Sequence, residues 1–246
     1  MSRVDHDLDK KIPFRADRIG VYHDFTAFWI RSLGFLLEAY GKKAPVEGLA
    51  TENAIRDFLG SIGAIYAYAA EVYQKNLSTT ERPFYLGRPG FLMIHLFDPH
   101  LMCIPSLHVM VVVGAYTKFA AILRSLGDGE TYAPQIAELK KGALEITETI
   151  LYVKQHSVNC IAASMYAMTC FNEELFPPSE AKNFVSRLFS ENPLDDAGDC
   201  TKIRNHIEDL YRHFLAERPR ENTAWDMPLI NFLRSRQKNK EGSYVG

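Results

Sequence analysis

The sequence predicts an all-α helical bundle, and three observations carry that prediction. Apolar residues recur about every 3.6 positions over several long stretches, the signature of helices with one buried face. No apolar/polar alternation runs long enough for a convincing strand. Glycine, proline and capping residues separate the periodic stretches by mostly short connections, as in a bundle. Of 246 residues, 47% are hydrophobic, enough to bury a sizeable core. No internal repeat or low-complexity segment interrupts the pattern.

Residues 1–16 read as a polar lead-in. From Ala16 to Tyr40 the apolar set Val21, Phe25, Phe28, Trp29, Leu33, Leu36 and Leu37 predicts a first helix. Gly41 ends it, with Pro45 beyond. Thr51-Glu52-Asn53 is read as the cap of a second helix, running to about Gln74 through Ile55, Phe58, Ile62, Ile65 and Tyr73. Residues 75–104 are the least regular region. Arg82-Pro83, Arg88-Pro89 and Asp98-Pro99 break any long helix there, leaving Gly90–Phe97 as a short one. A long loop in a compact chain is often functional.

Pro105 predicts the start of a helix reaching about Arg124, which puts Ser106 and His108 in its first turn. Further helices are predicted over Ala133–Tyr152, Val158–Phe171, about ten residues after Pro177-Pro178 (with Ser179 as a candidate cap), Cys200–Glu217, and a short one over Trp225–Leu233. The end of the chain from Arg234 is polar and is expected to fray.

With 28 basic and 30 acidic residues the formal charge is −2, so no overall field argues for nucleic acid or an anionic membrane as partner. Cys103, Cys160, Cys170 and Cys200 have no C-x-x-C spacing and are read as reduced thiols of a cytoplasmic protein. The N-terminus carries no signal-peptide pattern. Leu101–Leu123 is long enough to span a bilayer, but Ser106, His108 and Lys118 fall within it. A buried helix is therefore expected, with a membrane-associated protein as the alternative.

Three polar islands interrupt otherwise apolar helices: Lys75-x6-Arg82-Pro83, Pro105-Ser106-Leu107-His108, and Thr149-x6-His156-x3-Cys160. Taken alone, Pro105–His108 reads as a helix cap beside a core histidine. Together, the order and spacing resemble the type-2 phosphatidic acid phosphatase superfamily. That group comprises lipid phosphate phosphatases, bacterial acid phosphatases and vanadium haloperoxidases, with the signature K-x6-R-P, P-S-G-H, S-R-x5-H-x3-D. Leu107 replaces the usual glycine. P-S-L-H followed by Lys154-Gln155-His156 is similar to the branch of inositol phosphorylceramide synthases and their bacterial relatives. The resemblance covers about residues 75–164 and implies one phosphatase-like domain over 1–246, with 235–246 a flexible tail.

The resemblance implies a phosphomonoesterase that needs neither metal nor cofactor. Lys75, Arg82, Ser106 and Lys154 would bind the phosphate, His156 would attack phosphorus to form a phosphohistidine, and His108 would protonate the leaving alcohol and then activate water. The partner would be a phosphate ester, lipids included, with peripheral membrane contact. Two positions depart from the signature. Ile150 stands where the family has arginine, and Cys160 stands where it has the aspartate that orients the nucleophilic histidine. Asn159, Glu145 and Glu148 are the candidate substitutes. These departures keep open a weak or inactive relative that binds a phosphate ligand, and a membrane lipid phosphotransferase is the third reading. His95, His100 and His108 lack metal-ligand spacing, and His206 and His213 read as rim positions. Arg88 is a second-choice phosphate contact.

Overall fold

The computed structural model describes residues 1–41, 45–98, 100–219 and 224–241, and only the backbone of 45–51 and 238–241. The chain is predominantly helical. Its helices are α1 (Ile19–Tyr40), α2 (Pro45–Lys75), α3 (Pro89–Phe97), α4 (Leu107–Ser125), α5 (Ala133–Tyr152), α6 (Val158–Phe171), α7 (Pro178–Arg187), α8 (Ala197–Ala216) and α9 (Met227–Glu241). Two-residue strands β1 (Ser2–Arg3) and β2 (Ser78–Thr79) pair in parallel.

The long buried helix α4 is the axis of the molecule and packs against α1, α2, α5 and α6. Val109 to Val113 are fully buried in succession, so this helix is apolar all round. It is long and apolar enough to cross a membrane, yet 72% of that stretch is buried inside the molecule. Gly114 lets Ile65 of α2 approach, since a Cβ there would meet the Ile65 side chain at 2.2 Å. Helix α6 is the second buried rod and packs on α8.

The structure corrects several expectations at element ends. Helix α2 begins at Pro45, so Thr51 lies within it and is not its cap. Helix α4 begins at Leu107. Pro105 precedes it after a cis Ile104–Pro105 peptide, and Ser106 holds the N-cap position without making a side-chain cap bond. Ser179 lies inside α7, whose N-cap is Pro177. The polar run from Arg234 does not fray at once, because α9 continues to Glu241. Arg, Gln and Lys are good helix formers. Residues 242–246 of the expected tail lie outside the described residues.

The N-terminal segment is the largest correction. It is built into the fold. Val4 and Ile12 are buried. Ser2 N donates to the Leu77 carbonyl and Val4 N to the Thr79 carbonyl, both at 3.0 Å. Ser2 Oγ donates to the Leu233 carbonyl at 2.6 Å. His6 stacks on His206 with centroids 3.9 Å apart, and a His206 ring nitrogen lies 2.8 Å from Asn159 Oδ1. His206 is therefore half-buried, not a solvated rim residue, and burial lowers its pKa to about 4.

Candidate functional site

The segment between α3 and α4 is shaped by β2. Ser78 N donates to the Leu101 carbonyl, Cys103 N donates to the Ser78 carbonyl, and Ile104 N donates to Ser78 Oγ. Tyr73 at the end of α2 donates its hydroxyl to the Pro105 carbonyl at 2.5 Å. Ser106 N donates to Ser164 Oγ of α6 at 2.8 Å. These bonds fix the start of α4 against α2 and α6. They point the fully buried Ser106 hydroxyl at the third island, with its Oγ 3.3 Å from His156 Nε2.

His156 sits in the turn that joins α5 to α6. Gln155 N and His156 N both donate to the Ile150 carbonyl, and Lys154 takes a positive φ of 57° to make the turn. The His156 ring lies 5.6 Å from that of His108, which is held between Tyr22 and Phe25 of α1 at 4.4 and 4.2 Å. A cavity of about 120 Å³ opens on both imidazoles. Tyr73, Asp98, His100, Met102, Cys103, Leu107, His108 and His156 line it. A larger groove of about 800 Å³, lined mainly by α1 and α5, contains none of the predicted catalytic or phosphate-binding residues, only the candidate orienting Glu145.

Arg82 does not line this cavity but contacts Asp98, which does. Its guanidinium bridges Gln155 Oε1 at 3.0 Å and the Asp98 carbonyl at 3.1 Å, and lies 3.9 Å from Asp98 Oδ2. The three islands therefore meet through Arg82, Ser106, His108 and His156. Two predicted cations engage other partners. Lys75 Nζ pairs with Asp226 Oδ2 at 2.5 Å. Lys154 Nζ donates to the Asp9 carbonyl at 2.5 Å and to that of Ile12, clasping the N-terminal segment. Neither lines the cleft. Arg88, also considered, is exposed at the N-cap of α3.

None of the candidate orienting groups reaches His156. Cys160 Sγ accepts from Ser157 N at 3.4 Å, completing the cap of α6. Asn159 is engaged with Val4 and His206. Glu145 pairs with Arg18, and Glu148 accepts from Phe189 N. His156 Nδ1 is buried without a hydrogen-bond partner.

Burial sets the protonation states. It pushes the His108 pKa down to about 4, with the Asp98 carboxylate opposing and His23 reinforcing the shift. His156 is held well below the ordinary imidazole range by burial and by the neighbouring His108 and His100. The Cys103 backbone opposes that shift without hydrogen-bonding geometry. Both rings are neutral at pH 7. Burial also drives the Cys160 thiol upward, so it is no thiolate.

Sequence reasoning missed Asp98, His100, Tyr73 and Cys103. His100 takes a positive φ of 55°, its backbone N–H bonds Asp98 Oδ1, and Nε2 lies 2.8 Å from Thr80 Oγ1. Its pKa falls to about 4, chiefly through burial and then through the Arg82 charge. The irregular composition of 75–104 marked the loop as functional, but no local signal separates these side chains from their neighbours. Among the described residues no group of three or more His, Cys, Asp or Glu has metal-holding geometry.

Comparisons with protein-family models, with curated proteins and with solved structures found no match to this chain.

Proposed function

We propose that this chain is a phosphomonoesterase whose chemistry runs at the cleft between His108 and His156. One observation carries the reading: two neutral imidazoles from separate islands, His108 and His156, line one small cavity, with the Ser106 hydroxyl against His156 and Arg82 bonded to Asp98 of the same lining. A neutral imidazole is the nucleophilic form, so the low pKa of His156 suits attack on phosphorus. The P–O bond to the leaving alcohol breaks as the bond from His156 to phosphorus forms. His108, which lines the same cavity 5.6 Å away ring to ring, delivers the proton and later takes one from water. Arg82 carries the fixed positive charge and Ser106 the hydroxyl donor. Lys75 and Lys154 have no part in this version of the site.

The test is phosphate release from an aryl phosphate with chelator present, together with acid-quench trapping of the phosphoenzyme. His156→Ala is expected to abolish both. Turnover that persists in that variant refutes the assignment. A second reading, a phosphate-binding relative with little turnover, is favoured by the unpartnered His156 Nδ1 and by Cys160 serving the helix cap. Losing the orienting acid in a comparable triad costs about 10⁴ in kcat. Tungstate binding without phosphoenzyme would select this reading. The membrane phosphotransferase has weaker support, because α4 is mostly buried inside the molecule.

A further inference from the structure

The outward face of α3 and the loop before it is apolar and uncovered. Phe84 is 78% exposed, Phe97 73% and Leu96 65%, and Leu86, Leu92 and Met93 are exposed beside them. Phe91 and Ile94 turn inward and are buried, so both sides of this short helix are apolar. The loop is fixed to the helix. The Phe84 ring lies 5.1 Å from that of His95, and Tyr85 N donates to His95 Nε2 at 3.3 Å. Phe91 packs edge-on against Tyr85 and Phe14. The six side chains thus form a supported patch on an ordered helix.

We infer that this patch docks the protein on an anionic lipid bilayer, with α3 lying in the interface. Two features select a bilayer over a protein partner. The outward positions of α3 offer no hydrogen-bonding side chain except His95, which is already engaged. Protein interfaces carry about one hydrogen bond per 100–200 Å², mostly around a polar rim, whereas hydrocarbon needs none. Charge is the second feature. Between the flanking Glu81 and Asp98, the charged residues are Arg82, half-buried and bonded to Gln155 and Asp98, and Arg88, so the exposed charge on the patch itself is the positive Arg88. Arg88 is exposed at the N-cap of α3, where its guanidinium and the helix start would both face lipid phosphates. The patch also runs into the cleft. Asp98, which follows Phe97 directly, lines the cavity, and so does Met102, itself 45% exposed. Docking on α3 therefore brings the cavity mouth to the headgroup layer. The inference rests on exposure and charge alone and does not depend on phosphatase activity.

The experiment is cosedimentation of the full chain with phosphatidylcholine vesicles, with and without phosphatidylserine. Leu96→Asp/Phe97→Asp and Arg88→Glu are compared with the parent, and circular dichroism checks that each is folded. The parent is expected to sediment with the phosphatidylserine vesicles. The double variant should lose about tenfold or more in affinity, and Arg88→Glu should lose the preference for phosphatidylserine. The inference is overturned if the parent stays in the supernatant with both vesicles. A double variant that binds as well as the parent overturns it too. So does a parent that instead self-associates through the patch, with the double variant monomeric. Aryl phosphate turnover without vesicles is scored separately, so loss of one reading leaves the other standing.

Discussion

Replacing Lys75 by methionine separates a structural lysine from a phosphate-binding one. In the fold, Lys75 is a tether. The Asp226 carboxylate is 1% exposed, its Oδ2 lies 2.5 Å from Lys75 Nζ, and its Oδ1 has no other partner. One turn earlier on α2, Glu71 accepts from Trp225 Nε1 at 2.9 Å, and Trp225 stacks on Tyr68 at 3.8 Å. Lys75 and Glu71 thus hold the turn that starts α9. Removing one partner of a buried ion pair costs about 3–5 kcal/mol, whereas exposed pairs contribute about 0–1. Here the carboxylate is buried and the lysine side chain is half exposed, so the expected loss is about 2 kcal/mol. For a chain of this size that lowers the thermal midpoint by roughly 4–8 °C. Thermal unfolding at pH 7 reads the midpoint, and isothermal titration with tungstate reads the anion site. Lys75→Met should unfold early and bind tungstate unchanged. Adding Asp226→Asn should recover about half of the loss or more, since no stranded charge remains. The opposite pattern, an unmoved midpoint with anion affinity down tenfold or more, would refute the structural assignment and return Lys75 to the phosphate.

Glu148 gives a pH signature. Burial raises its carboxyl to about 7 against an ordinary 4.5, so the native state holds the proton that the unfolded state releases. That contribution is fully present below pH 4.5 and is lost as pH rises to about 7, up to about 3 kcal/mol. Glu148→Gln should flatten that slope in urea titrations from pH 5 to 7. Arg82→Lys loses the fork that joins Gln155 to Asp98, and phosphate release should fall roughly tenfold or more in kcat/KM with the thermal midpoint little changed. Val4→Ala empties a fully buried position on the paired N-terminal strand and should cost about 2 kcal/mol by urea unfolding; a neutral effect would mean the strand does not hold in solution.

What was legible in the sequence is what is local. The spans Ala133–Tyr152 and Val158–Phe171 agree with α5 and α6 because a 3.6-residue period and its flanking punctuation lie within the segment itself. Thr51 misled because a good cap sequence also occurs inside helices, and Pro45 is a stronger start. The N-terminal segment was opaque. Ser2 and Val4 are ordered by the carbonyls of Leu77, Thr79 and Leu233, and no local pattern records such distant partners. The same reason divides the site. The resemblance, carried by the order of the motifs, brought Ser106, His108 and His156 into one list, and the chain does bring them together. For Lys75 and Lys154 spacing fixes a place along the chain but not the direction of a long side chain, and each turns to a nearby oxygen of distant sequence origin. Asp98 and His100 carry the converse lesson. They line the cleft because β2 pins the loop behind them, which nothing in residues 98–100 announces.

Both histidines being neutral places a definite demand on any phosphate ester that reacts there. A neutral His156 is ready to attack, but a neutral His108 has no proton for the leaving alcohol. The proton must arrive with the substrate's charge. A unit negative charge about 4 Å away, at an effective dielectric of about 20, favours an imidazolium by about 4 kcal/mol, equivalent to roughly three pKa units. That lifts His108 from about 4 to about 7, the range in which a general acid works at neutral pH. The Asp98 carboxylate pulls His108 the same way. The dry packing of Tyr22 and Phe25 around His108 then makes its proton conditional on an anion in the cleft. Once His108 carries that proton, its charge lowers the pKa of the neighbouring His156, which keeps its nucleophilic lone pair. Without an acid at Nδ1, however, nothing supports the charge it develops after attack. If the chain is the phosphomonoesterase proposed above, its rate would be limited by the fate of His156, and recognition of the anion would rest on Arg82, Ser106 and His108.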